Sequence, residues 1–570
     1  MSRPSNVLLL LTDEERAPTC YEDAALTRFR GEHMPTRAAL RARGFALDNH
    51  YVASTACAPS RASLLTGHYP ALHGVSQTDG IGKRASDAEM HWLDPDTVPT
   101  MGDYFRAGGY DARYIGKWHV SHADLPVPGE HRSLAITRAD GSLIPAHVAA
   151  YRSANRLAGF GFDGWTGPDP HGPEHCNSGI VRDPHYADEA VACLDALEAR
   201  DPASEKPFLL VCSFVNPHDI VFFGAPWLLR AGMPHAGPEV PHIPPPPTAR
   251  EDLRDKPAAQ RAYARGYTRM FIPQPAVALY RRFYFSLQAE VDRALGRVVQ
   301  RLAASRFADD TIVVLTSDHG DMLGAHGGMK QKWHNAYEET IHVPCVISLP
   351  PRLARGGATG RCDAPTSHVD LLPTLLGLAG IDQDAARAAL AETHTEAQPL
   401  VGRDLSALVR GDAAAPSDPV YFVTRDEISA GAVRRNRLGL PLPTIPQPNH
   451  VEAIVAQLDT PDGPRRLKYT RYFQTEAHAD PYADDPPRHT RAQEHELYDL
   501  DADPLERTNL AHPRHRTAST AALVARLDEL LATSRSKHQV HPHTAREPQE
   551  AVPRGLSVLR RLTRRLPVRG

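Results

Sequence analysis

Three unbroken apolar runs, each closing on acids, amides or histidines, constrain this chain most. They are "NVLLLLTDEE" (6–15), "KPFLLVCSFVNPHD" (206–219) and "DTIVVLTSDHGD" (310–321). A strand with one wet face alternates apolar and polar residues, whereas a strand covered on both faces reads as a continuous apolar run. Between the runs, "TRAALRARG" (36–44), "YADEAVACLDALEAR" (186–200) and "FYFSLQAEVDRALGRVVQRLAAS" (283–305) space their apolar residues as helices do. The alternation predicts an α/β domain with a mostly parallel central sheet flanked by helices. In such sheets ligands bind beyond the carboxyl ends of the strands. The three runs end in Asp13 and Glu14, in Asn216 and His218, and in Asp318 and His319. Separate segments therefore deliver acids and imidazoles to one edge.

At 570 residues the chain exceeds what one hydrophobic core usually supports. The α/β domain is expected over 1–412, interrupted by insertions at 120–165 and 221–275. The second contains "MPHAGPEVPHIPPPPTAR", whose prolines favour an extended path. Loops of that length in a compact domain often form lids or binding walls. "RGDAAAPSDP" (410–419) reads as a boundary. Beyond it, over 413–535, "PVYFVTRDE", "HVEAIVAQLD" and "RRLKYTRYF" read as short strands, with "DGP" (462–464) as a hairpin turn and 517–534 as an amphipathic helix. This predicts a smaller C-terminal α+β domain. A tail over 536–570 places Leu556, Leu559, Leu562 and Leu566 along one side of a basic helical pattern. Such a pattern can contact an anionic membrane, and a frayed solvated tail is the plainer reading.

Charge and cysteine usage narrow the function classes. A formal net charge of −4, with both signs dispersed, argues against nucleic-acid binding. The seven cysteines have no CxxC pair, and Val7 to Leu11 is too short for a signal-peptide core. Reduced thiols and a cytoplasmic location are the expectation. Oligomeric state, including a homo-oligomer, is left open.

Asp13, Glu14 and Asp318 would bring like charges together, and converging carboxylates need a cation. Oxygen donors with one imidazole, His319, suit Ca²⁺, Mg²⁺ or Mn²⁺ better than structural zinc. In "YIGKWH" (114–119), extended backbone would turn Lys117 and His119 to one face and Trp118 to the other. The lysine would then keep His119 neutral, as a base must be. His218 and a lysine of "HGGMKQKWHNAYEE", Lys332 or Lys330, add cationic or proton-donating groups, a set that binds a tetrahedral oxyanion. In "STACAPSRASLLTG" (54–67), Pro59 suits the first helical position, leaving Cys57 just ahead of a helix N-terminus that favours an anion. As a thiol, Cys57 would be an activated nucleophile; spacing alone does not say whether it acts as one.

"CAPSRASLLTG" matches the sulfatase signature Cys-x-Pro-Ser-Arg-x-x-x-Leu-Thr-Gly at every fixed position. "NVLLLLTDEE", "GKWH", "FVNPHD", "SDHGDMLGAHG" and "ELYDLDADPLERTNLA" (496–511) resemble the other sulfatase blocks in the same order, so the chain resembles that family over residues 4–535. The resemblance implies an alkaline-phosphatase-like fold and oxidation of Cys57 to formylglycine by a formylglycine-generating enzyme. In sulfatases the aldehyde hydrates, one hydroxyl attacks sulfur and expels the alcohol, and the other loses its proton as sulfate leaves. Carried over, Cys57 is nucleophile and metal ligand, and Arg61 and Lys117 hold its oxygens. His119 is the base, while His218 and Lys332 bind the sulfate of a small-molecule ester. Asp13, Glu14, Asp318 and His319 complete a site for one divalent metal, Ca²⁺ first, with Mn²⁺ or Mg²⁺ as alternatives. Glu14 stands where many sulfatases have Asp, and His319 where Asn is common. Histidine there resembles the branch with choline-sulfatase-like enzymes and phosphonate monoester hydrolases. The implied activity is sulfate-ester hydrolysis. The alternatives are a phosphodiester or phosphonate monoester hydrolase with the same nucleophile, and a silent binding protein whose Cys57 stays a thiol.

Overall fold

The computed structural model describes residues 4–543 apart from 88–89, 128–131, 171, 173, 203–205, 226–239, 272–276, 355–358, 437, 461–462 and 475–492. Its strands are β1 (Asn6–Asp13), β2 (Phe45–Leu47), β3 (His50–Tyr51), β4 (Asp111–Gly116), β5 (Phe208–Pro217), β6 (Thr311–Ser317), β7 (His342–Val343), β8 (Cys345–Ser348), β9 (Gly360–Cys362), β10 (Thr366–Ser367), β11 (Val420–Thr424), β12 (His450–Thr460), β13 (Gly463–Phe473) and β14 (Glu494–Asp499).

The main sheet has the order β4-β5-β1-β6-β8-β2-β9. The strands formed by the three apolar runs, β5, β1 and β6, are adjacent, and the pairs from β4 through β6 are parallel. Only β8 runs against its neighbours β6 and β2. Both faces of the centre are covered. Leu9 and Leu11 of β1 join a core with Leu64, Leu65 and Leu375, while Leu8 and Leu10 join another with Leu194, Val291 and Leu295. That two-sided burial is why the runs lack alternation. The register places Thr12 opposite Ser317 and Asp13 opposite Pro217, so the polar ends of three strands finish level.

The C-terminal sheet, β11-β12-β13-β14, is antiparallel throughout. Alternate residues of β11 divide between its faces. Tyr421 and Val423 pack with Leu527 and Leu531 of the helix Ala518–His538, and Val420 and Phe422 pack toward Met322, Trp333 and Tyr337. The second face thus buttresses the chain that follows β6. Strand β13 begins at Gly463, within the "DGP" segment; 461–462 lie outside the described residues, as does the basic tail from 544.

Both insertions carry structure where described. Residues 120–165 include the helix Pro145–Ala154 and bury Tyr151, Phe160, Phe162 and Trp165 in the main core. Residues 240–271 include the helix Ala258–Met270, which buries Tyr263 and Tyr267. Among the described residues no helix is long and apolar enough to cross a membrane.

Candidate active site

The helix Cys57–Thr66 is buried along its whole length, with Cys57 as its first residue and Pro59 in its first turn. The expectation that Pro59 opens the helix is corrected by two residues. The proline is tolerated because the first four N–H groups of a helix lack intrahelical partners. The helix ends at Gly67, in the left-handed conformation (φ 70°), where a side chain is strained.

Arg61 is the hub. Its Nε donates to Asp318 Oδ2 and its NH2 to Asp13 Oδ2, both at 2.8 Å, while NH1 donates to the Lys117 carbonyl (2.9 Å) and Ser213 Oγ (2.7 Å). Lys117 Nζ lies 2.6 Å from the same Asp13 oxygen. Burial opposes ionisation of Asp13, but the charges of Lys117 and Arg61 overcome it and hold the carboxyl well below the usual range. Cys57 Sγ lies 3.1 Å from His319 Nε2 and 3.8 Å from Asp13 Oδ1. His319 Nδ1 donates to the Gly320 carbonyl at 2.9 Å, leaving the Nε2 lone pair toward Cys57. Burial draws this imidazole down to about 4, keeping it neutral.

Ligand atoms of Asp13, Cys57, Asp318 and His319 lie within 4.8 Å of one another, and Asp13, Glu14 and His218 form a second such group. Glu14, at φ 70°, has its Oε2 3.1 Å from Lys332 Nζ, while Oε1 is buried with no hydrogen-bond donor. Burial raises the Glu14 carboxyl well above the usual range, with Lys332 opposing and Asp321 reinforcing. An orphaned carboxylate oxygen beside hard oxygen donors and a neutral imidazole fits a divalent cation.

The segment after β4 departs from the extended reading. The strand stops at Gly116 (φ 97°), where a Cβ would lie 1.9 Å from the Ser213 carbonyl oxygen, and His119 is left-handed at φ 55°. Asp169 fixes this turn by accepting the Trp118 and His119 amides at 2.7 and 2.8 Å. Trp118 goes to the core, as alternation also required. His119 is not held neutral by Lys117. Burial and Lys117 disfavour the imidazolium, but Asp79, 2.7 Å from Nε2, and Cys57 prevail and raise its pKa above the ordinary value. His218 is the imidazole pushed well below its ordinary value, by burial and then by Lys117.

All the anticipated residues therefore come together, although Glu14 pairs with Lys332 and belongs to the second donor group. Lys330 turns to the rings of Tyr267 and Tyr280 instead of Glu14. Sequence reasoning missed Asp79, Asp169 and Ser213. No spacing rule marks a single acid in the loop before Gly80, nor a serine inside an apolar strand.

The sulfatase family profile matches residues 5–381. The chain belongs to the sulfatase family. This sulfatase-family chain is 30% identical over 360 residues to a choline-sulfatase of Rhizobium meliloti, a match covering 62% of this chain and 64% of that enzyme's length. It is 26% identical over 406 residues to the multifunctional alkaline phosphatase superfamily protein PehA of Trinickia caryophylli, covering 65% of this chain and 73% of that protein. The solved phosphonate monoester hydrolase of Agrobacterium radiobacter shares the fold, with TM-score 0.59 and 23% identity over 94% of this chain and 96% of that one.

Behind the site of this sulfatase-family chain, His326 stacks on Tyr337 with ring centroids 3.7 Å apart. Its Nδ1 lies 2.9 Å from Glu251 and its Nε2 3.7 Å from Glu339. Burial opposes its charge, but the two acids raise its pKa from 6.5 to about 9. A raised folded-state pKa stabilises fully below the unfolded value and loses that stabilisation as pH rises through the folded one. The stability advantage of the native protein over His326→Gln is expected to shrink by about 3 kcal/mol between pH 6 and pH 9.5. Denaturant midpoints at the two pH values measure it, and an unchanged advantage refutes the charged reading.

Proposed function

We propose that this protein hydrolyses sulfate esters to an alcohol or phenol and inorganic sulfate, using formylglycine made from Cys57. The observation that supports it most is the meeting of Cys57 with Asp13, Asp318 and His319 at the level ends of the three central strands. All ten residues of the helix Cys57–Thr66 are buried. The formylglycine-generating enzyme therefore acts on Cys57, Pro59 and Arg61 before the chain folds.

Asp13, Asp318 and His319, with Glu14 alongside, would hold a divalent cation, which would neutralise the carboxylates and supply Lewis acidity at the sulfate oxygens. Calcium suits the oxygen-rich set, and the imidazole admits Mn²⁺ or Mg²⁺. Hydrated formylglycine at position 57 would supply one hydroxyl for in-line attack at sulfur, its proton passing to the adjacent Asp13 carboxylate, and a second whose deprotonation eliminates sulfate and regenerates the aldehyde. Arg61 and Lys117 fix the orientation of residue 57 by clamping Asp13 beside it. His119 accepts the second hydroxyl's proton, and Asp79 stabilises the imidazolium that forms. His218, kept neutral, and the Lys332 ammonium donate to the sulfate and to the departing oxygen as the S–O bond breaks.

A phosphonate monoester or phosphodiester hydrolase is the second reading, favoured by His319 and by the likeness to a multifunctional superfamily member. Parallel assays of phenyl sulfate, a phenyl phosphonate monoester and an aryl phosphodiester decide between them. The higher kcat/KM is expected on the sulfate, with activity lost in chelator and restored by Ca²⁺ or Mn²⁺. A far higher value on either phosphorus ester overturns the sulfatase reading.

A further inference from the structure

One carboxylate beyond the C-terminal strand β11 reaches the segment that carries Lys332. Asp426 lies two residues past that strand and is buried, with both side-chain oxygens engaged. Oδ2 accepts the indole N–H of Trp333 at 2.9 Å, and Oδ1 accepts from the Lys83 ammonium at 2.8 Å. Lys83 also donates to Gln77 Oε1 and to the Glu427 carbonyl, both at 2.7 Å, which engages all three of its donors. Gln77 donates in turn to the Arg425 carbonyl at 2.8 Å. These bonds fix Asp426 against the catalytic core as well as within its own segment. Gln77 and Lys83 also bound the loop that carries Asp79, the acid 2.7 Å from His119.

Trp333 passes this rigidity to Lys332. The Lys332 ammonium lies over the Trp333 ring, 5.0 Å from its centroid, and 3.1 Å from Glu14 Oε2. An ammonium on a four-carbon stem is a mobile point charge, and one carboxylate oxygen leaves it free to swing. A ring face attracts the cation a second time, but without a directional bond, so the ring itself has to be held. Phe271 packs against the indole with centroids 5.8 Å apart and limits its tilt. Rotation within the ring plane is fixed by the indole's single donor, which is bonded to the Asp426 carboxylate. The chain of contacts from Asp426 to the Lys332 ammonium is thus two links long, and each link is a direct contact.

We propose that Asp426 is a positioning residue of the active site, which acts through Trp333 to set where the Lys332 ammonium meets the sulfate group and the departing oxygen. The segment after β11 is then part of the working geometry of the site as well as a buttress of the fold. The inference rests on the hydrolytic reading above for the role of Lys332.

Asp426→Asn and Trp333→Phe break the same hydrogen bond from its two ends. A carboxamide has one acceptor oxygen for two donors, and the charged lysine keeps it, so the indole is released. Phenylalanine retains a ring at position 333 without the N–H. Calorimetric titration of inorganic sulfate into the full-length Cys57→Ala protein, with Ca²⁺ present, reads the Lys332 contact without turnover. Each variant is expected to weaken sulfate binding about tenfold, and the two together by no more than about tenfold, as one shared bond requires. In a Lys332→Met background neither should weaken it further by more than about twofold. With residue 57 intact, the same variants should lower kcat/KM about thirtyfold on phenyl sulfate but about threefold on 4-nitrophenyl sulfate, whose oxygen departs with little need of a proton donor. A purely structural defect would lower both esters equally. Unchanged sulfate affinity in the single variants overturns the proposal, as do losses that add in full to that of Lys332→Met or fall equally on the two esters. If no ester is hydrolysed while the sulfate-binding pattern holds, the hydrolytic reading falls and the positioning role stands.

Discussion

Cys57→Ala is expected to lower kcat by about 10⁴-fold or more while costing about 1 kcal/mol of stability. The imbalance follows from what the thiol touches. Its sulfur contacts His319 Nε2 and Asp13 Oδ1, but neither group depends on it for position. Asp13 is held by Arg61 and Lys117, and His319 by its bond to the Gly320 carbonyl. Removing one sulfur therefore leaves the cluster standing without its reactive atom. Circular dichroism, thermal unfolding and turnover measured on one preparation check this. Peptide mass spectrometry of protein from a host with the modifying enzyme should show an aldehyde at position 57. Full turnover by protein whose Cys57 is intact would refute the formylglycine reading. Unmodified protein without turnover would favour a silent binding protein.

The parts of this site legible in the sequence are those that follow directly from strands. Asp13 and Asp318 extend β1 and β6, and His218 immediately follows β5; two-sided burial made all three strands readable as apolar runs. β4 was not read, because its residues Asp111 and Arg113 stay partly exposed at the sheet edge. What the sequence hid is contributed across distance. Ser213 meets Arg61 across 152 positions and Asp79 meets His119 across 40, each through tertiary placement of one hydroxyl or carboxylate. Local rules also lost at 116–119, where extended alternation was expected. The backbone instead turns through left-handed residues so that Lys117 can donate its amide to the Ser213 carbonyl and its carbonyl can accept from Arg61. The charge state of His119 went the same way. A neighbouring lysine in sequence weighed less than an aspartate that the fold brings into contact.

Arg61→Met should destabilise the protein by about 3–5 kcal/mol and abolish turnover, because it breaks a buried network instead of removing a surface charge. Asp13 and Asp318 would each lose a donor at 2.8 Å and Ser213 Oγ one at 2.7 Å, while the Lys117 carbonyl would keep only the Tyr114 hydroxyl among the described residues. Lys117 would still face Asp13 at 2.6 Å, but no other lysine or arginine forms an ion pair with Asp318 among the described residues. Arg61→Lys should recover only part of the loss, since one ammonium cannot reproduce a fork that spans two carboxylates. Removing a permanent positive charge also strengthens the attraction of the two acids for a cation. The denaturant midpoint of Arg61→Met should therefore rise more steeply with Ca²⁺ or Mn²⁺ than that of the native protein, since a ligand stabilises in proportion to its affinity for the folded state. Unfolding curves in chelator and across a metal titration measure both effects. A variant as stable as the native protein in chelator would mean that Asp13 and Asp318 are not held as carboxylates, and a flat metal response would mean that they are not where the cation binds.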